Sequence, residues 1–122
     1  MSEETPTFVY FQGKRPPRFA TETERQAAGI LDYYRIPWDY EPHTFVLEQG
    51  EQGNILEAFT PDFYLPELDL YLEVTEMKQS LITAKHRKVR KLNEKYPEVR
   101  VKVFYKRDFV HLAKKYNLSL PD

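Results

Sequence analysis

The sequence predicts one α/β domain of the α+β kind, with elements in the order αβββαβα and a mixed four-stranded sheet flanked by helices. Segments whose apolar residues recur at helical spacing alternate with segments whose apolar residues recur at every second position. The second helical segment falls between the third and fourth strands, a crossover that makes those strands parallel and the connection right-handed. The length, 122 residues, suits one sheet with its covering helices and is too short for two independent cores.

The first helix is read over residues 21–36, where Ala27, Ala28, Leu31 and Tyr34 share a face, Thr21 is the N-cap and Pro37 the stop. Residues 38–47 have strand composition, and the cluster from Gln49 to Asn54 forms a turn. A second strand runs through residues 55–65, Pro66-Glu67 turns the chain, and residues 68–75 alternate as a third strand, completing an antiparallel meander. Residues 81–96 return to helical period, with Ile82, Val89, Leu92 and Tyr96 on one stripe and His86, Arg87, Arg90, Lys91 and Lys95 largely off it. Pro97 ends that helix. Val99, Val101, Val103 and Tyr105 mark a fourth strand, and Asp108 can cap a last helix over residues 109–116. The first seven residues are expected to be a flexible tail on a domain spanning residues 8–122.

The composition excludes several kinds of site. Without cysteine there is no disulfide framework and no thiolate zinc site, and three scattered histidines disfavour a histidine-rich one. A hard cation held by oxygen ligands remains. The acidic start has no apolar core of signal length, and no apolar run approaches the roughly 20 residues of a membrane span, so a cytoplasmic chain without membrane contact is expected. Residues 1–77 hold 5 Lys/Arg against 15 Asp/Glu, and residues 78–122 hold 13 against 4. The formal charge of -1 thus conceals an acidic half and a basic half, a polarity that suits a phosphate-bearing partner.

Asp62 precedes the Pro66 turn and Glu73 follows it, so chain reversal brings two carboxylates together on adjacent strands. Two such anions raise one another's pKa unless a cation lies between them. Magnesium, with manganese as a substitute, suits the position, because it uses one or two protein carboxylates and keeps its other places for water and phosphate. These are parts for phosphodiester hydrolysis.

The run Thr60-Pro61-Asp62-Phe63-Tyr64-Leu65-Pro66, followed by Tyr71-Leu72-Glu73-Val74, resembles the PD-(D/E)xK nuclease superfamily, which includes restriction endonucleases, archaeal Holliday-junction resolvases and endonuclease subunits of transposition systems. The resemblance covers roughly residues 21–105 and implies a restriction-endonuclease-like core. It implies that Asp62 and Glu73 bind the metal, that Glu24 of the first helix joins the site, and that a lysine two residues beyond the Glu supports the nucleophilic water. Thr75 stands at that last position, and a hydroxyl supplies no positive charge. Two substitutes are open. Lys78 can reach back from the strand end while Glu73 remains a ligand, or Glu76-Met77-Lys78 can itself be the ExK element. The Asp62-to-Glu73 register favours the first.

Other residues carry two readings. Glu24 either closes a capping box with Thr21 or points with Ala27, Ala28 and Leu31 towards the sheet. Lys85, Arg87, Lys88, Arg90 and Lys91 have no acidic neighbour in sequence before Glu94, which favours contact with nucleic acid over an ordinary solvated face. Gln79 and His86 either touch phosphate or serve the helix start, and the latter is favoured for His86. Phe8, Tyr10 and Phe11 are expected to cover an edge or core face, ahead of the alternative, a self-association surface. The leading expectation is a magnesium-dependent nuclease acting on nucleic acid, with DNA favoured, as a homodimer or in a larger complex. The rivals are a catalytically silent nucleic-acid-binding module of the same fold and a protein-assembly domain.

Overall fold

Residues 8–76, 79–105 and 107–108 are described by the computed structural model. Thr21 caps α1 (Glu22–Tyr33): its hydroxyl accepts the Glu24 N–H at 3.1 Å, satisfying a donor that the first turn leaves free. The helix ends three residues before the expected position. Arg35 adopts a left-handed conformation at φ 61°, Arg35 N–H bonds Asp32 O, and Ile36 N–H bonds Leu31 O. That double closure is a Schellman motif, so the helix is stopped by its own last carbonyls and not by Pro37.

The first two expected strands are each broken in two. The first becomes β1 (Asp39–Tyr40) and β2 (Phe45–Gln49), interrupted by Glu41 at φ 50° and by Pro42. The second becomes β3 (Ile55–Phe59) and β4 (Phe63–Leu65), interrupted at Thr60-Pro61, where proline offers no ladder donor. The outer halves, β2 and β3, pair only with each other as a two-stranded ribbon. The inner halves join β5 (Leu70–Thr75) and β6 (Val101–Tyr105) in a mixed four-stranded sheet of order β1-β4-β5-β6. All pairs are antiparallel except β5 with β6, which are parallel across the intervening helix α2 (Gln79–Lys95), as the crossover predicts. The helix expected over residues 109–116 lies outside the described residues; Asp108, its expected cap, accepts the Tyr105 N–H at 2.8 Å at the end of β6.

Strand β5 turns its two faces to two cores. Leu70, Leu72 and Val74 pack with Phe63, Leu65 and Trp38 against Ala27, Ala28, Ile30 and Leu31 of α1. Phe8 and Phe11 lie against the buried Trp38 ring, at 5.1 and 4.8 Å between centroids, so the N-terminal aromatics cover a core face. On the other face, Leu92 and Val89 of α2 pack on Leu47 and Phe59 of the ribbon. Ion pairs fasten the same contact. Glu48 and Glu57 stand opposite one another across the ribbon, an unfavourable pairing by itself. Lys91 bonds both, at 3.3 and 2.8 Å, and Arg87 bonds Glu57 at 2.7 Å. The two cations hold the Glu57 carboxyl down at about 2. Among the described residues, no helix is long and apolar enough to cross a membrane.

Candidate functional site

The ladder between β4 and β5 runs from Leu65 opposite Leu70 to Phe63 opposite Leu72, and then the strands part. Beyond that point two side chains replace the missing ladder bonds. Glu73 Oε1 accepts the Asp62 N–H at 3.2 Å, and Asp62 Oδ2 accepts the Val74 N–H at 2.8 Å. The structure therefore places Asp62 and Glu73 side by side, each 6% exposed, locked by reciprocal bonds to one another's strand. Among the described residues, no hydrogen bond reaches Asp62 Oδ1.

A cation meets this pair from α2. Lys85 Nζ lies 3.2 Å from Glu73 Oε2 and donates to Val74 O at 2.5 Å, so its ammonium sits against the strand segment just before Thr75. Glu73, Lys85, Lys88, Thr60 and Phe59 line a cleft of 270 Å³, in which Lys88 lies over the Phe59 ring at 5.9 Å. Thr75 is 2% exposed, and its hydroxyl donates to Glu76 O at 3.2 Å. Lys78 lies outside the described residues, as does the side chain of Gln79. Glu76 turns to the start of α1, where it accepts the Thr23 hydroxyl at 2.9 Å, and does not join the carboxylate pair.

Glu24 is buried beneath the opposite side of the sheet end. Its carboxylate does not return to the Thr21 amide as a capping box requires; Oε1 accepts the Tyr40 hydroxyl at 2.5 Å and the Ala20 N–H at 3.3 Å. Its charge is felt at the pair, since it raises the pKa of both Asp62 and Glu73. Burial raises the Tyr40 phenol well above its usual range, and the bond to Glu24 adds to that. Among the described residues, no group of three or more His, Asp and Glu is gathered to hold a metal ion. The donors available to a hard cation are thus the Asp62 and Glu73 carboxylates, with Glu24 acting on them through its charge.

The basic face of α2 is less open than its sequence suggests. The absence of acidic neighbours in sequence does not extend to space, because Arg87 and Lys91 are committed to Glu57 and Glu48. Lys85 is committed to Glu73, which leaves Lys88 and Arg90 as the exposed or half-exposed cations of the run without an ion pair among the described residues. His86 Nε2 lies 2.6 Å from the Tyr105 hydroxyl and ties the helix to β6, a structural contact.

Lys85, expected to contact nucleic acid, instead lies beside Glu73. A signal existed. Residues 82, 85, 89, 92 and 96 follow the three-four spacing of a buried helical stripe, and Lys85 is its charged member.

Burial, then the negative charges of Glu73 and Glu24, pushes the Asp62 carboxyl up to about 8, against the pull of the Val74 amide and Lys85. Glu73 is also raised by burial, with Lys85 opposing. A carboxyl whose folded pKa exceeds its unfolded value, about 3.9 for Asp, stabilises the fold fully below that unfolded value and loses the contribution as pH rises through the folded pKa. Thermal unfolding in EDTA is therefore expected to show a midpoint that declines between pH 4 and 8, and the decline should be shallower in Asp62→Asn, where only the other raised carboxyls, Glu73 and Glu41, still contribute. A flat profile in the parent would refute the linkage.

Comparison of the chain with protein-family models, with curated proteins and with solved structures gives no match.

Proposed function

We propose that the protein is a magnesium-dependent nuclease of the PD-(D/E)xK type, in which Asp62 and Glu73 hold the metal and Lys85 supplies the positive charge that Thr75 cannot. The observation that carries this reading is the Lys85 ammonium, 3.2 Å from Glu73 Oε2 and bonded to the carbonyl of the residue before Thr75. A helix delivers the cation that the strand lacks.

The carboxylate pair fits a hard cation. Two buried carboxylates whose pKa values are raised form a site short of positive charge, and Asp62 Oδ1 is left open. Magnesium accepts such a pair because most of its coordination can remain with water and phosphate. When bound, it supplies a water of lowered pKa and neutralises charge on the scissile phosphate.

The chain's own residues do the rest. Lys85 orients the attacking water and offsets the negative charge that develops in the transition state, where a preorganised cation in a partly dry cleft acts most strongly. Lys88 and Thr60, on the wall of the same cleft, receive phosphate oxygens of the substrate. Glu24, held by Tyr40, keeps negative potential at the pair and so favours the doubly charged cation over the proton. Nucleic acid is the substrate class, with DNA favoured.

The purified protein is expected to cleave supercoiled plasmid or labelled oligonucleotides in magnesium or manganese and to stop in EDTA. Cleavage that persists in EDTA would overturn the metal mechanism. Salt-sensitive binding without cleavage in either metal would identify the silent module instead.

A further inference from the structure

The acidic half of the chain contains one basic segment, Lys14-Arg15-Pro16-Pro17-Arg18, and the fold sets it against β1, the strand beside β4. The segment is pinned at both ends. Before it, Phe11 packs on Trp38 and Gln12 N–H bonds Trp38 O at 2.8 Å; after it, Phe19 packs against Tyr40, at 4.9 Å between centroids, and reaches Phe63. Gly13 lets the backbone pass where a Cβ would lie 2.3 Å from the Phe11 ring and 2.9 Å from Asp39 Oδ1. Two consecutive prolines fix φ between the cations, so little conformational freedom remains to be lost on binding.

The segment forms one wall of a cleft of 560 Å³ whose other wall is Asp39, Tyr40 and Glu41. That second wall leads directly into the site: Glu41 N–H bonds Asp62 O at 2.8 Å, and the Tyr40 hydroxyl bonds Glu24. Strand β4, which begins beside Asp62, lies between β1 and β5. The cleft of the basic segment consequently adjoins β1 on one side of β4, and the Lys85–Lys88 cleft adjoins Glu73 of β5 on the other. Lys14, Arg15 and Arg18 are exposed, and among the described residues none makes a hydrogen bond or ion pair, although two carboxylates line the same cleft. Arg87 and Lys91, by contrast, are already neutralised.

Resting on the nuclease reading, we infer that the Lys14–Arg18 segment is a second phosphate-binding wall, gripping the nucleic-acid backbone on the β1 side of Asp62 while Lys88 holds it on the β5 side. The backbone then crosses the carboxylate pair between two fixed sets of cations. These cations position phosphate and carry no base readout.

The test is fluorescence anisotropy with a fluorescein-labelled duplex oligonucleotide and, separately, its single strand, in EDTA across a salt series. The Lys14→Ala/Arg15→Ala/Arg18→Ala variant is compared with the parent and with a Lys95→Ala/Lys102→Ala variant that removes surface charge elsewhere. Each cation that no longer neutralises a phosphate should lower the salt slope by about 1, so the triple variant is expected to show a slope lower by about 3 and an affinity weaker by about tenfold or more. The control should stay near the parent. The probe with the larger fall in affinity identifies duplex or single strand as the form that crosses the site. Equal affinity and slope in parent and triple variant would overturn the second wall and leave the nuclease reading intact. A parent that binds but does not cleave overturns the nuclease reading, and the anisotropy comparison then still decides the wall. A parent that does not bind at all overturns both.

Discussion

Asp62→Asn is expected to cut magnesium-dependent cleavage by about a thousandfold while making the metal-free protein more stable in mild alkali. The two effects share one cause. Asp62 and Glu73 are buried side by side, and the native fold tolerates the second negative charge poorly, as the raised Asp62 pKa of about 8 indicates. Asparagine keeps an oxygen for the Val74 N–H and removes the charge, so the penalty of ionising the pair above pH 8 disappears. A relief of about 1 kcal/mol would raise the unfolding midpoint by roughly 4 °C in a domain of this size. On the nuclease reading the same substitution would withdraw a charged ligand from the cation, and losing several kcal/mol of transition-state stabilisation corresponds to that thousandfold fall. Single-turnover cleavage and calorimetry in EDTA at pH 8.5 read the two halves. A variant that cleaves like the parent would sink the mechanism, and one that is destabilised in EDTA would contradict the electrostatic account.

Lys85→Met should lower the single-turnover rate by about 10²- to 10³-fold, the usual cost of removing one preorganised charge from a transition state. Methionine keeps most of the stem volume, so the apolar stripe of α2 is preserved. Affinity for nucleic acid in EDTA should change little, with a salt slope lower by about 1 at most. That separation matters. A residue that merely holds phosphate would lose affinity and keep its rate at saturation, whereas Lys85 should do the reverse. Its removal should also move the acid limb of the pH–rate profile to higher pH, because its charge is what pulls the Glu73 carboxyl down against burial. An unchanged rate at saturation would return the missing role to another group.

Element type and order were legible because burial on one face leaves a period in the sequence. The helices at residues 22–33 and 79–95 and the parallel pairing of β5 with β6 follow from that alone. The splitting of the first two strands did not, since alternation says which residues face inward but not which sheet they face. Pro42 and Pro61, inside the two expected strands, were the marks of the break. Asp62 and Glu73 could be paired from sequence because a short turn separates them. The partners of Arg87 and Lys91 lie 30 to 43 residues away and meet them only because the ribbon bends over α2. The basic segment at residues 14–18 was hidden by adding up charge over an acidic half. Lys85 is the most informative case: a charged side chain on a buried stripe requires a buried counter-charge, and Glu73 on the facing strand is the acidic residue placed to supply it.

The strand carries the carboxylates and the helix carries the ammonium, so the two halves of the site belong to different units of cooperativity. Asp62 and Glu73 stay together as long as β4 and β5 remain paired. The ammonium stays only while α2 is seated on the ribbon through Leu92, Glu48 and Glu57. A motif lysine on the strand would be as durable as the sheet itself; on the nuclease reading, a local opening of α2 would withdraw the ammonium while the carboxylate pair stayed assembled. On that reading the site works as a logic gate, keeping its carboxylates in the opened form and reaching full function only when sheet and helix are both in place. A partner that pressed α2 down or lifted it away would set the rate without touching a single reacting atom.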